Sequence, residues 1–212
     1  MRDRKHEAGQ ALFEFGVTLP ILMALVLGVI EFGYTLFQIQ LVTSMAREGS
    51  NLIARQVTIN DAEAALGVMS GLVQFDANST LIFSVVRLGA GGPLAVNNNV
   101  PIIVQRHSVG AFAASSVLGD PPQSAYQGSP DYNAVNPDND PSIRVSGALP
   151  NGLTLTPGES VYVTEVFTQR TSIVPFLPLP ATLRAADSPS PIPLAAASAA
   201  ASTAFDRFAL IT

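Results

Sequence analysis

The chain has no cysteine, and Lys5 is its single lysine among 212 residues. Without cysteine there is neither a thiol nucleophile nor a disulfide scaffold, although the absence assigns no compartment. Charge is sparse as well: 13% of residues are charged, the net charge is −5, and the arginines beyond the N-terminus are scattered singly. No basic stripe follows Arg55, so nothing points to a nucleic-acid partner. A G-x-x-x-x-G-K-[ST] loop, the mark of a phosphate-binding ATPase, is missing. Histidine occurs at His6 and His107 only, and no Ser-His-Asp grouping can be argued from spacing. No enzyme activity and no cofactor are therefore expected.

What is present is concentrated at the N-terminus. Gly16 to Ile30 carries no charge at all, and Leu, Ile, Val, Met and Phe dominate it. A spanning helix needs about 17–25 mostly apolar residues, and Ala11 to Phe37 supplies that length with Glu14 and Glu31 near the two interfaces. A secretory signal would end in a small-residue site, whereas here the run continues as Glu31-Phe32-Gly33-Tyr34-Thr35. Retention as a membrane anchor is expected. Arg2, Arg4 and Lys5 precede the span and predict a cytoplasmic N-terminus, with Arg47 weakening the asymmetry slightly. Glu14 lies just inside the apolar run, where an ionised carboxylate is costly, roughly 2.5–3.5 kcal/mol at the bilayer centre and less near its edge. A residue at that depth normally has a partner or a purpose.

Helical periodicity continues past the span. Leu41, Val42, Met45, Leu52 and Ile53 recur at spacings of three, four and seven, with polar residues between them, which is an amphipathic stripe. One helix from Ala11 to Gln56 would be roughly 70 Å long. Pro20 is expected to kink it. A second helix is predicted at Asp61–Val73, with Asn60 as its N-cap. Strands are predicted at Ser79–Leu88, Val100–His107 and Val161–Thr168, and a weaker one at Ser142–Leu149. Leu118–Pro141, crowded with Pro, Asp, Asn, Ser and Gly, reads as a long exposed loop. The Pro/Ala-rich C-terminus reads as extended, with Phe205, Phe208 and Leu210 docking back. The fold class is α+β: a long transmembrane and amphipathic helix, a short second helix, then a small antiparallel sheet with long loops. The segments are 1–9, a leader; 10–56, the helix; 57–174, an extracytoplasmic strand-rich domain; and 175–212, the tail.

Within the helix, Gly9-Gln10-Ala11, Glu14-Phe15, Leu19-Pro20, Gly28, Glu31-Phe32-Gly33 and Ala46-Arg47-Glu48-Gly49 occur in order. This string, about a quarter of the chain, resembles the TadE-like family of minor pilins or pseudopilins from tight-adherence (Flp-type) pilus systems. The resemblance implies a prepilin peptidase that cuts between Gly9 and Gln10, making Glu14 the fifth mature residue. It also implies that Glu14, beside Phe15, registers the helix against the terminal amine of a neighbouring subunit; cyclisation of Gln10 would remove that charge. Gly16, Pro20, Ala24 and Gly28 are candidates for close helix packing. The implied partners are the peptidase, other pilin or pseudopilin subunits, the inner-membrane assembly machinery and membrane lipid. The alternative is an uncleaved single-pass envelope protein whose outer domain binds a ligand or partner. Asp138-Asn139-Asp140, with Asp131 and Asn133 upstream, offers oxygen ligands, but lacks the glycine and closing glutamate of a calcium loop, so an ordinary hydrophilic loop and no metal site are expected. Arg47-Glu48 reads as a solvated helix face.

Overall fold

The computed structural model describes residues 3–69, 75, 77–147, 149, 153–169 and 182–187, with the backbone alone for residues 3–10 and 182–187. One helix, α1 (Asp3–Ala54), runs 52 residues, about 78 Å at about 1.5 Å per residue, and stays helical through Pro20. It meets α2 (Ile59–Met69), which starts earlier than the sequence predicts. Thr58, not Asn60, caps it: the Thr58 hydroxyl accepts from the Asp61 N–H at 3.2 Å and donates to the Asp61 carboxylate at 2.7 Å. The expected continuation to Val73 lies outside the described residues.

Four antiparallel strands follow: β1 (Ser79–Leu88), β2 (Pro101–Gly110), β3 (Ser160–Gln169) and β4 (Thr182–Asp187). Their order is β2-β1-β3-β4, so β1 and β3 are central. In register, Phe83 of β1 stands between His107 and Thr164. β1 begins and ends where its sequence predicts. β4 lies inside the segment expected to be a tail and pairs with β3 from Thr164 to Gln169.

Both faces of the sheet are covered, which is why Ser79 to Val86 is buried without alternation. On one face Val42, Met45, Ala46 and Ile53 of α1 join Ile59, Ala62 and Leu66 of α2 against Leu81, Phe83, Val85 and Val166. α1 lies along β3 and β4 and touches α2. Gly49 marks the tightest point, since an added Cβ would meet Thr164 Cγ2 at 2.7 Å.

The other face is covered by irregular chain. Leu118, Ala125, Tyr126, Ala134 and Ile143 are buried against Val86, Ile102, Ile103, Val161 and Val163. The segment 118–141 is a strap: much of it is exposed, as expected, but Leu118, Ala125, Tyr126 and Ala134 anchor it against the sheet. Its backbone is satisfied by short pairings with the β2 edge, including Ala134 N–H to the Val104 carbonyl at 2.7 Å and Arg106 N–H to the Tyr132 carbonyl at 3.2 Å. The weaker strand expected at Ser142–Leu149 is corrected too. Pro141–Ile143 is a 3-10 turn capped by Asp140, and Arg144 makes one isolated bridge to Ile102; Ala148 is outside the described residues. The docking expected of Phe205, Phe208 and Leu210 lies outside them as well.

Candidate functional site

The site residues expected from the sequence all fall on α1. Gly9 and Gln10 lie within its helical backbone. From Ala11 to Val26 every residue is exposed; Leu27 and Gly28 are half-buried, and Val29 and Ile30 are exposed again. Leu12, Phe13, Leu25 and Val29 each present 64–75% of their surface. In water this apolar area would be strongly unfavourable, so the helix is built for an apolar surrounding or for packing against other chains. Glu14 and Phe15 are exposed on its first turns. Gly16, Pro20, Ala24 and Gly28 follow at intervals of four and form a ridge; a Cβ added at Gly16 or Gly28 meets nothing within 4 Å. A close-packing neighbour could approach the backbone there.

The helix changes character at Glu31. Expected at the outer interface, Glu31 is fully buried; Thr35 and Gln38, half-buried, and Val42, Met45 and Gly49, buried, follow at spacings of four and three, and Val42 and Met45 join the core shared with the sheet. The Thr35 hydroxyl donates to the Glu31 carbonyl at 2.8 Å and Thr43 donates to Ile39 at 2.8 Å, satisfying two hydroxyls within the helix. Glu48, expected on a solvated face, is half-buried, whereas Arg47 is exposed.

The α+β domain holds a buried charged cluster that the sequence does not announce. Glu165 of β3 accepts from the Ser116 hydroxyl and, at 3.1 Å, from the Val117 N–H. Arg106 of β2 reaches Ser84 and Ser116 at 3.4 Å and pairs with Asp120 at 3.2 Å. Burial pulls the Arg106 guanidinium below its ordinary value, and the nearby Glu165, Tyr126 and Asp120 oppose that shift. These groups fasten the strap to the sheet. His107 belongs to the opposite face, where it meets Glu63 of α2 at 3.0 Å and stacks on Tyr132 with ring centroids 3.8 Å apart. Ser116 and His107 are thus on different sides of the sheet, and no nucleophile–base pair forms between them.

Around Asp138-Asn139-Asp140 the polar groups serve the chain itself. Asn97, fully buried, donates to the Pro137 and Asp140 carbonyls at 2.8 and 2.7 Å and accepts from Arg144 at 2.8 Å. The Asp140 carboxylate accepts from the Ser142 N–H and hydroxyl. Among the described residues, no group of three or more His, Cys, Asp or Glu side chains could hold a metal ion. Among the described residues, shallow depressions of about 330 Å³ and about 380 Å³ lie beside Arg87, Gln105 and Tyr162 and between α2 and β2 at Glu63, Gly67 and Val109.

The architecture is that of an α+β chain with one N-terminal helix long and apolar enough, by length and composition, to cross a membrane. Residues 9–51, most of α1, match the family model described as TadE-like protein. No curated protein and no solved structure matches. The TadE-like resemblance is thereby shown for the helix, while the sheet domain stands outside the matched stretch.

Proposed function

We propose that this chain is a single-pass pseudopilin or minor pilin that acts in the assembly or initiation of a Flp-type (tight-adherence) pilus. Its mechanism is structural and involves no turnover. The N-terminus is cytoplasmic, a prepilin peptidase cuts between Gly9 and Gln10, and the outer domain stands on the far side of the inner membrane. The freed helix packs laterally against other pilin helices, with Gly16, Pro20, Ala24 and Gly28 at the contact, and Glu14 sets the register. A buried carboxylate is tolerated when paired, and the geometric demands of such a pair favour one alignment over others.

The observation that carries this reading is an apolar helix exposed at every residue from Ala11 to Val26 and rising from a separately cored domain, within the stretch that matches the TadE-like family model. Intact mass and N-terminal sequencing of protein from a native host give the first test. A chain beginning at Gln10 is expected; an intact leader, unaffected by loss of the peptidase, overturns the reading. Glu14→Ala should insert normally and fail in assembly, and undiminished piliation would remove the role assigned to Glu14.

A further inference from the structure

Between Glu31 and Ala54 the amphipathicity of α1 inverts. In the upper part the arrangement is that of a water-soluble protein: Val42, Met45, Ala46 and Ile53 are buried, whereas Gln40, Ser44, Arg47 and Asn51 are exposed. In the two turns before it the sides are exchanged. Glu31 is fully buried and Tyr34, Thr35, Gln38 and Ile39 are half-buried, whereas Phe32, Leu36 and Phe37 present 61%, 44% and 48% of their surface outward. A carboxylate enclosed behind an outer side that is apolar throughout is the pattern expected where the surrounding medium is hydrocarbon.

Length leads to the same place. Glu14 and Glu31 are seventeen positions apart, about 26 Å of helix, which is shorter than a hydrocarbon core of about 30 Å. Both carboxylates cannot stand at its edges, and tilting shortens the span further. The fold encloses Glu31 in protein. Counting back about 20 residues from Phe37 then starts the core near Thr18, leaving Glu14 about one turn outside it, among the inner headgroups.

We infer that α1 leaves lipid between Phe37 and Gln40 rather than at Glu31, so that Phe32, Leu36 and Phe37 contact the outer leaflet and the base of the α+β domain is seated in the membrane interface. The occupant of this face is lipid because the face continues the exposed apolar surface of the span and ends where the exposed side chains turn polar. The inference rests on the reading of α1 as a membrane span, and the test separates the two.

The sequence contains no tryptophan, so one introduced residue reports alone. Leu25→Trp, Phe37→Trp and Ser44→Trp, each in the full chain, are placed in phosphatidylcholine vesicles whose acyl chains are brominated at shallow or deep positions, with iodide supplied on both sides. Leu25→Trp should lose emission to deep bromines, Phe37→Trp to shallow bromines, and Ser44→Trp to iodide only. A Phe37→Trp quenched like Ser44→Trp overturns the inference and leaves the span intact. Protection of Phe37→Trp from bromines and iodide alike, relieved on dilution in lipid, also overturns it by showing a second helix on this face. A Leu25→Trp insensitive to bromines overturns the span itself.

Discussion

Ser116 donates its hydroxyl to Glu165, and this contact joins the strap that follows β2 to the face of β3. The second carboxylate oxygen accepts the Val117 N–H at 3.1 Å, and Arg106 lies alongside with 7% of its side chain exposed. Removing Glu165 would leave the Ser116 hydroxyl and the Val117 N–H without their acceptor, and Arg106 with the exposed Asp120 as its remaining ion-pair partner. Glu165→Ala is expected to cost about 2–4 kcal/mol, and Ser116→Ala about 1–3 kcal/mol. Urea unfolding of the full chain in detergent measures both; an Arg106→Met/Glu165→Leu pair should be less destabilised than Glu165→Ala alone.

The contact between α1 and the sheet is limited by Gly49. Its added Cβ would meet Thr164 Cγ2 at 2.7 Å and Leu66 Cδ1 at 3.1 Å, both on fully buried side chains. Gly49→Val should cost about 1–3 kcal/mol by overpacking. Gly67→Ala, in α2 with open space around the Cβ, should instead stabilise by up to about 1 kcal/mol. Thermal unfolding midpoints should move in opposite directions.

Thr164 supplies a related case. Its hydroxyl oxygen is buried and has no hydrogen-bond partner among the described residues. Thr164→Val keeps the shape and removes the unsatisfied group, so it is expected to stabilise by about 1 kcal/mol. A lower unfolding midpoint would show that the hydroxyl is satisfied in solution.

Asn97 links the turn after β1 to the 136–144 segment through donors that reach two carbonyls. Asn97→Asp would place acceptor against acceptor, so it should be more damaging than Asn97→Ala, which is expected to cost about 2–4 kcal/mol. Amide exchange of residues 95–99 and 137–144 checks the ranking locally.

Burial raises the Tyr126 phenol above its ordinary value; Arg106 opposes the shift and Asp140 adds to it. The phenol is then neutral in the fold at a pH where the unfolded chain already ionises. Its stabilising contribution is complete below the unfolded value of about 10 and declines as the pH rises through and above it. The unfolding midpoint should fall above about pH 10, and by less in Tyr126→Phe. Equal alkaline slopes would count against this coupling.

The elements that local pattern encodes are legible in the residues themselves. β1 at Ser79–Leu88, β3 within one residue at each end, and the reach of α1 past the span all follow from periodicity and strand-forming side chains. β4 is different. Thr182-Leu183-Arg184-Ala185-Ala186-Asp187 has little strand propensity, and β3 supplies the pairing edge that makes it a strand. The polar turn residues of the strap predict solvent exposure, yet Leu118, Tyr126 and Ile143 cover one face of the sheet. Irregular chain with satisfied backbone groups can seal a sheet as well as a helix does.

Hydrophobic run length and periodicity are local properties of the chain, so the residues alone specify one apolar helix ahead of an α+β domain. Which sides of that helix meet protein emerges on folding. A carboxylate at position 31 looks like a boundary mark when helix residues are counted. Enclosure of Glu31, with Phe32, Leu36 and Phe37 turned outward, is a property of the folded chain and not of residue type or spacing.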